Sequence, residues 1–257
     1  MLSPEFLNTV VPLGLLSSNG SFRPLGGGVL IERHGLSWLV TARHVKDAAE
    51  SEAKDDTPFV LVGTTKSGEH FPMDLWDTAT QHDLEWVQTG EKEDLAAIPI
   101  PLSPEWVHRT IPDSLCLTGD GVIPSMPCYT VGIPYGFASS DPGRITPLVL
   151  DGVISGIDKA DGLLYISAPT LRGNSGGPVF VYRSPFNVAG GLTVGKPTVL
   201  LAGLVIQQML VGGDVRATDH VVPTPPLHLG VVRSAERVLG LLDKGPAKEL
   251  AARLKDL

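Results

Sequence analysis

Apolar residues fall in many short runs along the chain, and turn-forming residues separate each run from the next. The clearest pair, residues 26–32 and 36–45, is predicted to be two apolar strands that end at His44. Further strands are predicted at residues 58–63, 84–88, 94–100, 128–133, 146–155, 163–167, 178–182 and 198–207. The spacing indicates roughly a dozen strands in an all-β fold.

Helical patterns are fewer. They cover residues 45–53, residues 234–242 and the tail after Gly245, where the following proline suits a first helical position. Across residues 101–125 the apolar pattern weakens and prolines and glycines interrupt it. We therefore place the connection between two strand-rich halves there, and we expect the terminal helices to pack on the strands.

Composition limits the class of protein. The 257 residues include 42% hydrophobic and 19% charged residues, 29 glycines and 22 prolines, which is typical of many short strands rather than of disorder. The formal net charge of −8 argues against general binding to nucleic acid or to an anionic membrane.

The two cysteines, Cys116 and Cys128, do not form a disulfide framework. The first residues lack the basic start of a signal peptide, and no uninterrupted apolar run reaches the roughly 18 residues of a membrane span. We expect a cytoplasmic protein that needs no cofactor.

Residues 172–178 have the sequence Arg-Gly-Asn-Ser-Gly-Gly-Pro and offer the strongest chemical signal. A serine hydroxyl attacks a carbonyl when its oxygen is exposed, a base takes its proton and N–H groups face the oxyanion. Gly173 can aim its N–H, while Gly176 and Gly177 allow close approach of a substrate. By itself, a serine among glycines is more typical of a flexible surface turn.

Two upstream residues supply the partners that Ser175 needs. His44 follows a predicted strand, which is a rigid place for a base. An imidazole base requires a carboxylate behind it, and Asp94 stands at the start of a second apolar run. Asp83 competes for this role, although the run after it is interrupted by polar residues.

The segments around His44, Asp94 and Ser175 together resemble the three motifs of the trypsin-like serine proteases, in the same order. The resemblance implies two six-stranded antiparallel β-barrels with the active site in the cleft between them, and short C-terminal helices. It implies an N-terminal barrel over residues 1–110 that carries His44 and Asp94, a C-terminal barrel over residues 111–232 that carries Ser175, and helices over residues 233–257. It also implies an oxyanion hole made by the backbone N–H groups of Gly173 and Ser175.

Within that family the chain is similar to the bacterial HtrA-type branch, through Asn174 before the serine and the sequence Gly-Ile-Pro-Tyr-Gly at residues 132–136. No PDZ-like segment is recognisable after the barrels. Zymogen-activated relatives carry an aspartate where this chain has Asn174, so the resemblance implies a protease that needs no cleavage to mature.

The resemblance also implies the primary specificity pocket. Relatives that cut after lysine or arginine carry an acidic residue six positions before the serine, where this chain has Pro169. We therefore expect an uncharged residue of small or medium size in the pocket. The residues expected to contact substrate are Pro169, Thr170, Leu171, Arg172, Val205, Ile206, Gln207, Gln208 and His228.

Three alternatives remain at this stage. An α/β-hydrolase esterase shares the Gly-x-Ser-x-Gly pattern but needs a helix after Ser175, with Asp214 and either His220 or His228 downstream. A catalytically silent protease fold that serves as a binding or scaffold module has the same sequence features. A metal enzyme is least favoured, because the seven histidines show no paired ligand spacing. The expected partners are a protein or peptide substrate and, as an open option for the tail, a regulatory protein.

Overall fold

A computed structural model describes residues 4–53, 57–133, 147–183, 198–210 and 226–255. The strands are β1 (Val10–Leu16), β2 (Phe22–Arg33), β3 (Leu36–Ala42), β4 (Phe59–Thr64), β5 (His70–Asp74), β6 (Val87–Gln88), β7 (Leu95–Pro99), β8 (Ile111–Pro112), β9 (Pro127–Gly132), β10 (Leu148–Asp158), β11 (Leu163–Ser167), β12 (Pro178–Arg183), β13 (Thr198–Leu210) and β14 (Pro226–Ser234). The helices are α1 (Pro4–Leu7), α2 (Arg43–Glu52), α3 (Leu75–Gln81), α4 (Ala235–Leu242) and α5 (Gly245–Lys255).

Strands β1 to β8 form the first unit. Its antiparallel strands follow the order β5, β4, β1, β2, β3, β7 and β6, and β8 lies parallel beside β2. Within the described residues the unit is an eight-stranded sheet, with two strands more than expected, and it fits the first half of the expected two-barrel fold. The pairing of Ala42 in β3 with Leu95 in β7 is important for the site. Because the strands are antiparallel, it brings the segment after β3 next to the segment before β7.

Strands β9 to β14 form the second unit, a closed six-stranded barrel in the order β10, β11, β14, β13, β12 and β9. All of its pairings are antiparallel. The all-β prediction with two strand-rich halves is therefore confirmed. The second half has the expected strand number, and Ser175 lies just before its strand β12.

A shared hydrophobic core joins the two units and the C-terminal helices. Trp38 of the first unit and Phe180 and Leu204 of the second belong to one buried cluster, which also includes Val238 and Leu242 of α4. The apolar residues of α4 recur at helical spacing on one face, and burying that face stabilises a helix too short to persist alone. The terminal helices pack on the strands, as expected.

Strand β1 was missed by the sequence prediction because Pro12 and Gly14 interrupt its apolar run. Pro12 is tolerated because β4 pairs only with residues from Leu13 onward, so the missing N–H of the proline leaves no gap in that ladder. Gly14 lies at a register shift in the pairing of β1 with β2, and a Cβ there would lie 2.2 Å from the carbonyl oxygen of Arg23. Pro12 and Gly14 therefore do not interrupt the strand, because each occupies a position where the strand can accommodate it.

Other elements also differ from the predicted pattern, and the strands β5, β8 and β14 were not predicted. The strand expected at residues 84–88 shrinks to β6, which has two residues. Helix α3 was not predicted, and it begins where the carboxylate of Asp74 accepts hydrogen bonds from the N–H groups of Trp76 and Asp77. This N-cap satisfies donors that a helix start leaves unpaired.

Among the described residues, no helix is long and apolar enough to cross a membrane. Cys116 and Cys128 are free and buried, and burial raises the pKa of each thiol to about 12. Neither thiol is therefore a reactive nucleophile at neutral pH.

Two contacts of the ring fix the tautomer of His108. Its Nδ1–H donates to the carbonyl oxygen of Asn8 at 3.1 Å, and its Nε2 accepts the backbone N–H of Thr64 at 3.0 Å. Burial is the main reason that the pKa of His108 lies below its ordinary value, and the nearby His70 lowers it further. Protonation of Nε2 would break the hydrogen bond from Thr64.

We predict that the folded state loses stability as pH falls below about 6.5, the ordinary histidine pKa, because the unfolded chain then binds a proton that folded His108 does not. Above that pH the contribution of His108 is fully present. Denaturant unfolding at pH 7.5 and pH 5.5 should show a smaller decrease for His108→Gln than for the wild type. The exposed control His82→Gln should keep the wild-type decrease, and an unchanged decrease in His108→Gln would contradict the prediction.

Candidate active site

His44 and Asp94 meet at the end of the first sheet. His44 lies in the first turn of α2, directly after β3, and its Nδ1 lies 2.7 Å from Oδ2 of Asp94. The other carboxylate oxygen of Asp94 accepts the backbone N–H of His44 at 2.9 Å. The His44 side chain is 47% exposed and that of Asp94 is 16% exposed. The acid is therefore shielded while the imidazole faces the solvent.

The backbone of Asp94 adopts an unusual conformation. Its φ is +55°, a region that residues with a Cβ rarely occupy and that costs free energy. The N–H of Asp94 donates to the carbonyl oxygen of Gly90, and its own carbonyl oxygen accepts the N–H of Arg43 at 3.0 Å. These hydrogen bonds hold the strained residue in place and direct its carboxylate towards His44.

The competing acid, Asp83, lies elsewhere. Its carboxylate is 81% exposed and forms an ion pair with Arg253 of α5 at 3.3 Å. Among the described residues, the carboxylate that contacts His44 is that of Asp94.

The turn around Ser175 uses glycines where the backbone requires them. Gly173 has φ of +100° and Gly176 has φ of +77°. Two short-range hydrogen bonds close the turn, from Asn174 N–H to the carbonyl oxygen of Leu171 and from Gly177 N–H to that of Asn174. Strand β12 begins directly after this turn, so a strand, not a helix, follows Ser175. This geometry excludes the α/β-hydrolase elbow.

The Ser175 turn packs against the first sheet at β2. The N–H of Gly27 donates to the carbonyl oxygen of Ser175 at 2.8 Å, and the hydroxyl of Thr41 donates to the carbonyl oxygen of Gly27 at 2.7 Å. A Cβ at Gly26 would lie 2.5 Å from the Ser175 carbonyl oxygen and 2.8 Å from a methyl group of Val45. Since Val45 follows His44, the Ser175 turn and the first turn of α2 both approach β2 at Gly26.

The groups expected to react form no hydrogen bond among the described residues, and Ser175 and His44 are not hydrogen bonded to each other. Within the described residues, the N–H groups of Gly173 and Ser175 and the hydroxyl of Ser175 take part in no hydrogen bond. The N–H groups are therefore available for an oxyanion.

The expected pocket residues fall into two sets. Pro169 and Arg172 are exposed and Leu171 is partly buried, while Thr170 is 1% exposed and its hydroxyl has no partner among the described residues. The Thr170 side chain lies against Gly230 of β14, where a Cβ would be 2.4 Å from its methyl group.

The expected pocket residues of β13 differ in whether they are free to contact a substrate. Val205 uses both backbone polar groups on the Ser175 turn, accepting from Gly176 N–H at 2.7 Å and donating to the carbonyl oxygen of Gly177 at 2.9 Å. It supports the turn, and its backbone is not free to pair with a substrate. Ile206 is buried against the core of the first sheet, whereas Gln207 is exposed and Gln208 is partly exposed.

Some predicted residues lie outside the described part of the chain. These are the side chain of His228, residues 134–136 of the HtrA-like segment, and Asp214 and His220 of the hydrolase alternative. Within the described ranges, histidine, cysteine, aspartate and glutamate side chains form no group of three or more that could hold a metal.

The family model for the trypsin-like peptidase domain matches residues 26–184, which is more than half of the chain and includes His44, Asp94 and Ser175. The chain belongs to this family. The resemblance of its motifs to trypsin-like proteases is thereby confirmed, and the family implies protein substrates.

Other comparisons add little. Among curated proteins, no significant match was found. Of the solved structures, a crystal structure of Deg5 is similar, with 17% sequence identity and a TM-score of 0.47. The similarity covers 68% of this chain and 75% of the Deg5 chain.

We predict that Gly176→Ala disrupts the contact between the two units. The new Cβ would lie 2.2 Å from both the Gly27 carbonyl oxygen and the Thr41 hydroxyl, and its φ would be unfavourable as well. The left-handed backbone alone costs roughly 1–2 kcal/mol, so we expect a loss of more than about 2 kcal/mol in the free energy of unfolding. Equilibrium denaturant unfolding measures this loss.

The matched control is Gly240→Ala in α4, where a Cβ would meet no atom within 4 Å. Because alanine is the better helix former, this variant should gain up to about 1 kcal/mol. Equal effects of the two variants would contradict the prediction.

Proposed function

We propose that this trypsin-like peptidase domain is a serine endopeptidase that cleaves peptide bonds through an acyl-enzyme intermediate. The observation that carries the proposal is the approach of two units: His44 contacts Asp94 in the first, and the Ser175 turn of the second is hydrogen bonded to the same sheet. A resting, silent binding module is the alternative that the experiment below separates.

The proposed reaction has two halves. Nε2 of His44 takes the proton of the Ser175 hydroxyl while the oxygen attacks the substrate carbonyl, and the N–H groups of Gly173 and Ser175 bind the resulting oxyanion. His44 then gives the proton to the leaving amine as the C–N bond breaks. A water molecule attacks the acyl-enzyme in the second half, with His44 again acting as base, and Ser175 is regenerated. Asp94 holds the imidazole in the required tautomer throughout.

We propose that the pocket next to Ser175 takes an uncharged side chain of small or medium size. Pro169 provides no negative charge for lysine or arginine, and the buried Thr170 occupies space against Gly230. Burial of a substrate cation without a counter-charge costs free energy, and this cost disfavours basic residues.

We further propose that an extended substrate adds to β13 as a strand. Pairing of β12 with β13 ends at Leu204, and beyond it the described pairings of β13 are with β14 alone. The backbone of Gln207 and Gln208 is therefore open on the side that β12 leaves, which suits main-chain pairing with a peptide.

A cytoplasmic location, an origin in bacteria and regulation by a protein partner remain predictions from the sequence. So does the division of the chain at residues 110 and 232. The acidic net charge supports the prediction that neither nucleic acid nor an anionic membrane is a general partner.

We predict that a fluorophosphonate probe labels the wild type and that Ser175→Ala abolishes the labelling. Peptide hydrolysis should fall on the order of 10⁶-fold in kcat for Ser175→Ala and about 10⁴-fold for Asp94→Asn, as in measured triads. The exposed Ser167→Ala is the matched control and should be labelled like the wild type. Absence of labelling in the wild type under every condition tested would favour the silent binding module.

We predict a clear order among substrates that differ only in the residue before the cleaved bond. Peptides with alanine, serine or valine at that position should be cleaved with kcat/KM values at least about 100-fold above those for lysine or arginine, because the pocket offers no counter-charge. Cleavage of a mixed peptide library followed by mass spectrometry measures this order. Preferred cleavage after a basic residue would contradict the proposed pocket.

A further inference from the structure

Arg233 is an arginine buried in an apolar strand, and the proposed chemistry does not use it. It lies in β14, pairs with Leu163 of β11 and Leu204 of β13, and is 2% exposed. Burial of a cation is costly unless hydrogen bonds compensate it. A strand of the second barrel therefore carries a charged group whose burial requires an explanation.

The guanidinium of Arg233 donates three hydrogen bonds, each to a backbone carbonyl oxygen. Its Nε donates to Glu93 at 2.9 Å, one terminal nitrogen donates to Lys92, and the other donates to Asp161. Lys92 and Glu93 precede Asp94 in the first unit and lie about 140 residues away in sequence, whereas Asp161 lies in the turn between β10 and β11. One side chain thus connects the barrel to the loop that carries the triad acid.

The contact with Glu93 acts directly on Asp94. The Glu93 carbonyl belongs to the planar peptide group that joins Glu93 to Asp94. A hydrogen bond to this carbonyl fixes the orientation of the peptide plane and so restrains the φ of Asp94 at +55°. The next peptide group is fixed by Arg43 N–H, which donates to the carbonyl oxygen of Asp94. Arg233 therefore completes the set of contacts that force a residue with a Cβ into a left-handed conformation and direct its carboxylate towards His44.

The planar guanidinium suits this task better than an ammonium group. Its rigid fork presents several N–H donors at fixed spacing, so it can hold two successive carbonyl oxygens, whereas lysine offers a compact point charge on a flexible stem. The charged groups around it are Glu93, Asp94, Asp161 and Arg237, and no carboxylate accepts a hydrogen bond from it among the described residues. Arg233 therefore binds backbone carbonyl groups in a fixed geometry and does not form a hydrogen-bonded ion pair with a described carboxylate.

We propose that Arg233 is a positioning residue for the triad, acting through the Lys92–Glu93 backbone to hold Asp94 against His44. The role in catalysis rests on the proposed serine protease function, while the effect on Asp94 does not. Arg233 contacts neither the substrate nor the reacting atoms.

The test compares Arg233→Lys with Arg237→Lys. Arg237 contacts the same two loops, through the Glu93 carboxylate at 3.6 Å and the Ala160 carbonyl oxygen at 2.9 Å, but it does not contact the backbone next to Asp94. We expect Arg233→Lys to lower kcat at least about tenfold with little change in KM, because the base is misplaced while the pocket is intact. Arg237→Lys should stay within about twofold of the wild type. In an Asp94→Asn background, Arg233→Lys should cause no comparable further loss, since it acts through Asp94.

A second readout does not depend on activity. Amide hydrogen exchange of Arg43 and His44, whose N–H groups donate to Asp94, should become at least about tenfold faster in Arg233→Lys and stay unchanged in Arg237→Lys. Circular dichroism and denaturant unfolding verify that both variants are folded. If the wild type shows no Ser175-dependent activity, the proposed function fails while the exchange result still decides the role of Arg233. Unchanged exchange in a folded Arg233→Lys, or an equal loss of kcat with and without Asp94→Asn, would overturn the proposal.

Discussion

Among the described residues, a backbone hydrogen bond from Gly27 in β2 to the carbonyl oxygen of Ser175 holds the turn of the proposed nucleophile against the first sheet. Glycines on both sides make this approach feasible, because a Cβ at Gly26 or Gly176 would overlap with backbone atoms of the other unit. Acyl transfer requires the reacting groups to be held within about half an ångström of productive geometry. In this fold, backbone contact between the units holds the Ser175 turn beside the sheet that carries His44 and Asp94.

The residues of the proposed site come from different structural units. His44 and Asp94 lie at adjacent ends of β3 and β7, so the register of one antiparallel pair fixes the base relative to the acid. Ser175 comes from the other unit, and its position depends on how the units pack. Besides the glycine contact, the shared core around α4 and the hydrogen bonds of Arg233 to the 92–94 loop connect them. The position of Ser175 relative to His44 and Asp94 therefore depends on contacts between residues that are far apart in the sequence.

The sequence predicted those parts of the site that depend on local pattern. The apolar run before His44, the apolar run after Asp94 and the glycines around Ser175 each follow from backbone or packing needs within a few residues. The sequence favoured Asp94 over Asp83 through the apolar run that follows it, but the contact of Asp94 with His44 depends on the pairing of Ala42 with Leu95, which no local pattern specifies.

What the sequence missed depends on distant contacts. Strand β1 contains Pro12 and Gly14, which are acceptable only because of the particular register of β1 with its two neighbours. Arg233 lies in β14, which the sequence analysis did not predict, and its acceptors lie 72 to 141 residues away. The additional strands of the first sheet were missed for the same reason. They are short or irregular, and pairing with distant strands rather than their own composition makes them strands.

Unfavourable local features collect around the proposed site. Asp94 has a left-handed backbone, and the Thr170 hydroxyl and the Asn174 side-chain oxygen are buried without a partner among the described residues. Each such feature costs on the order of 1–3 kcal/mol, so none persists unless surrounding contacts compensate it. The compensating contacts come from both units, through the Arg43 N–H and the Arg233 guanidinium at Asp94. The same packing that stabilises the pair of units therefore also maintains the strained geometry at Asp94 on which the proposed chemistry depends.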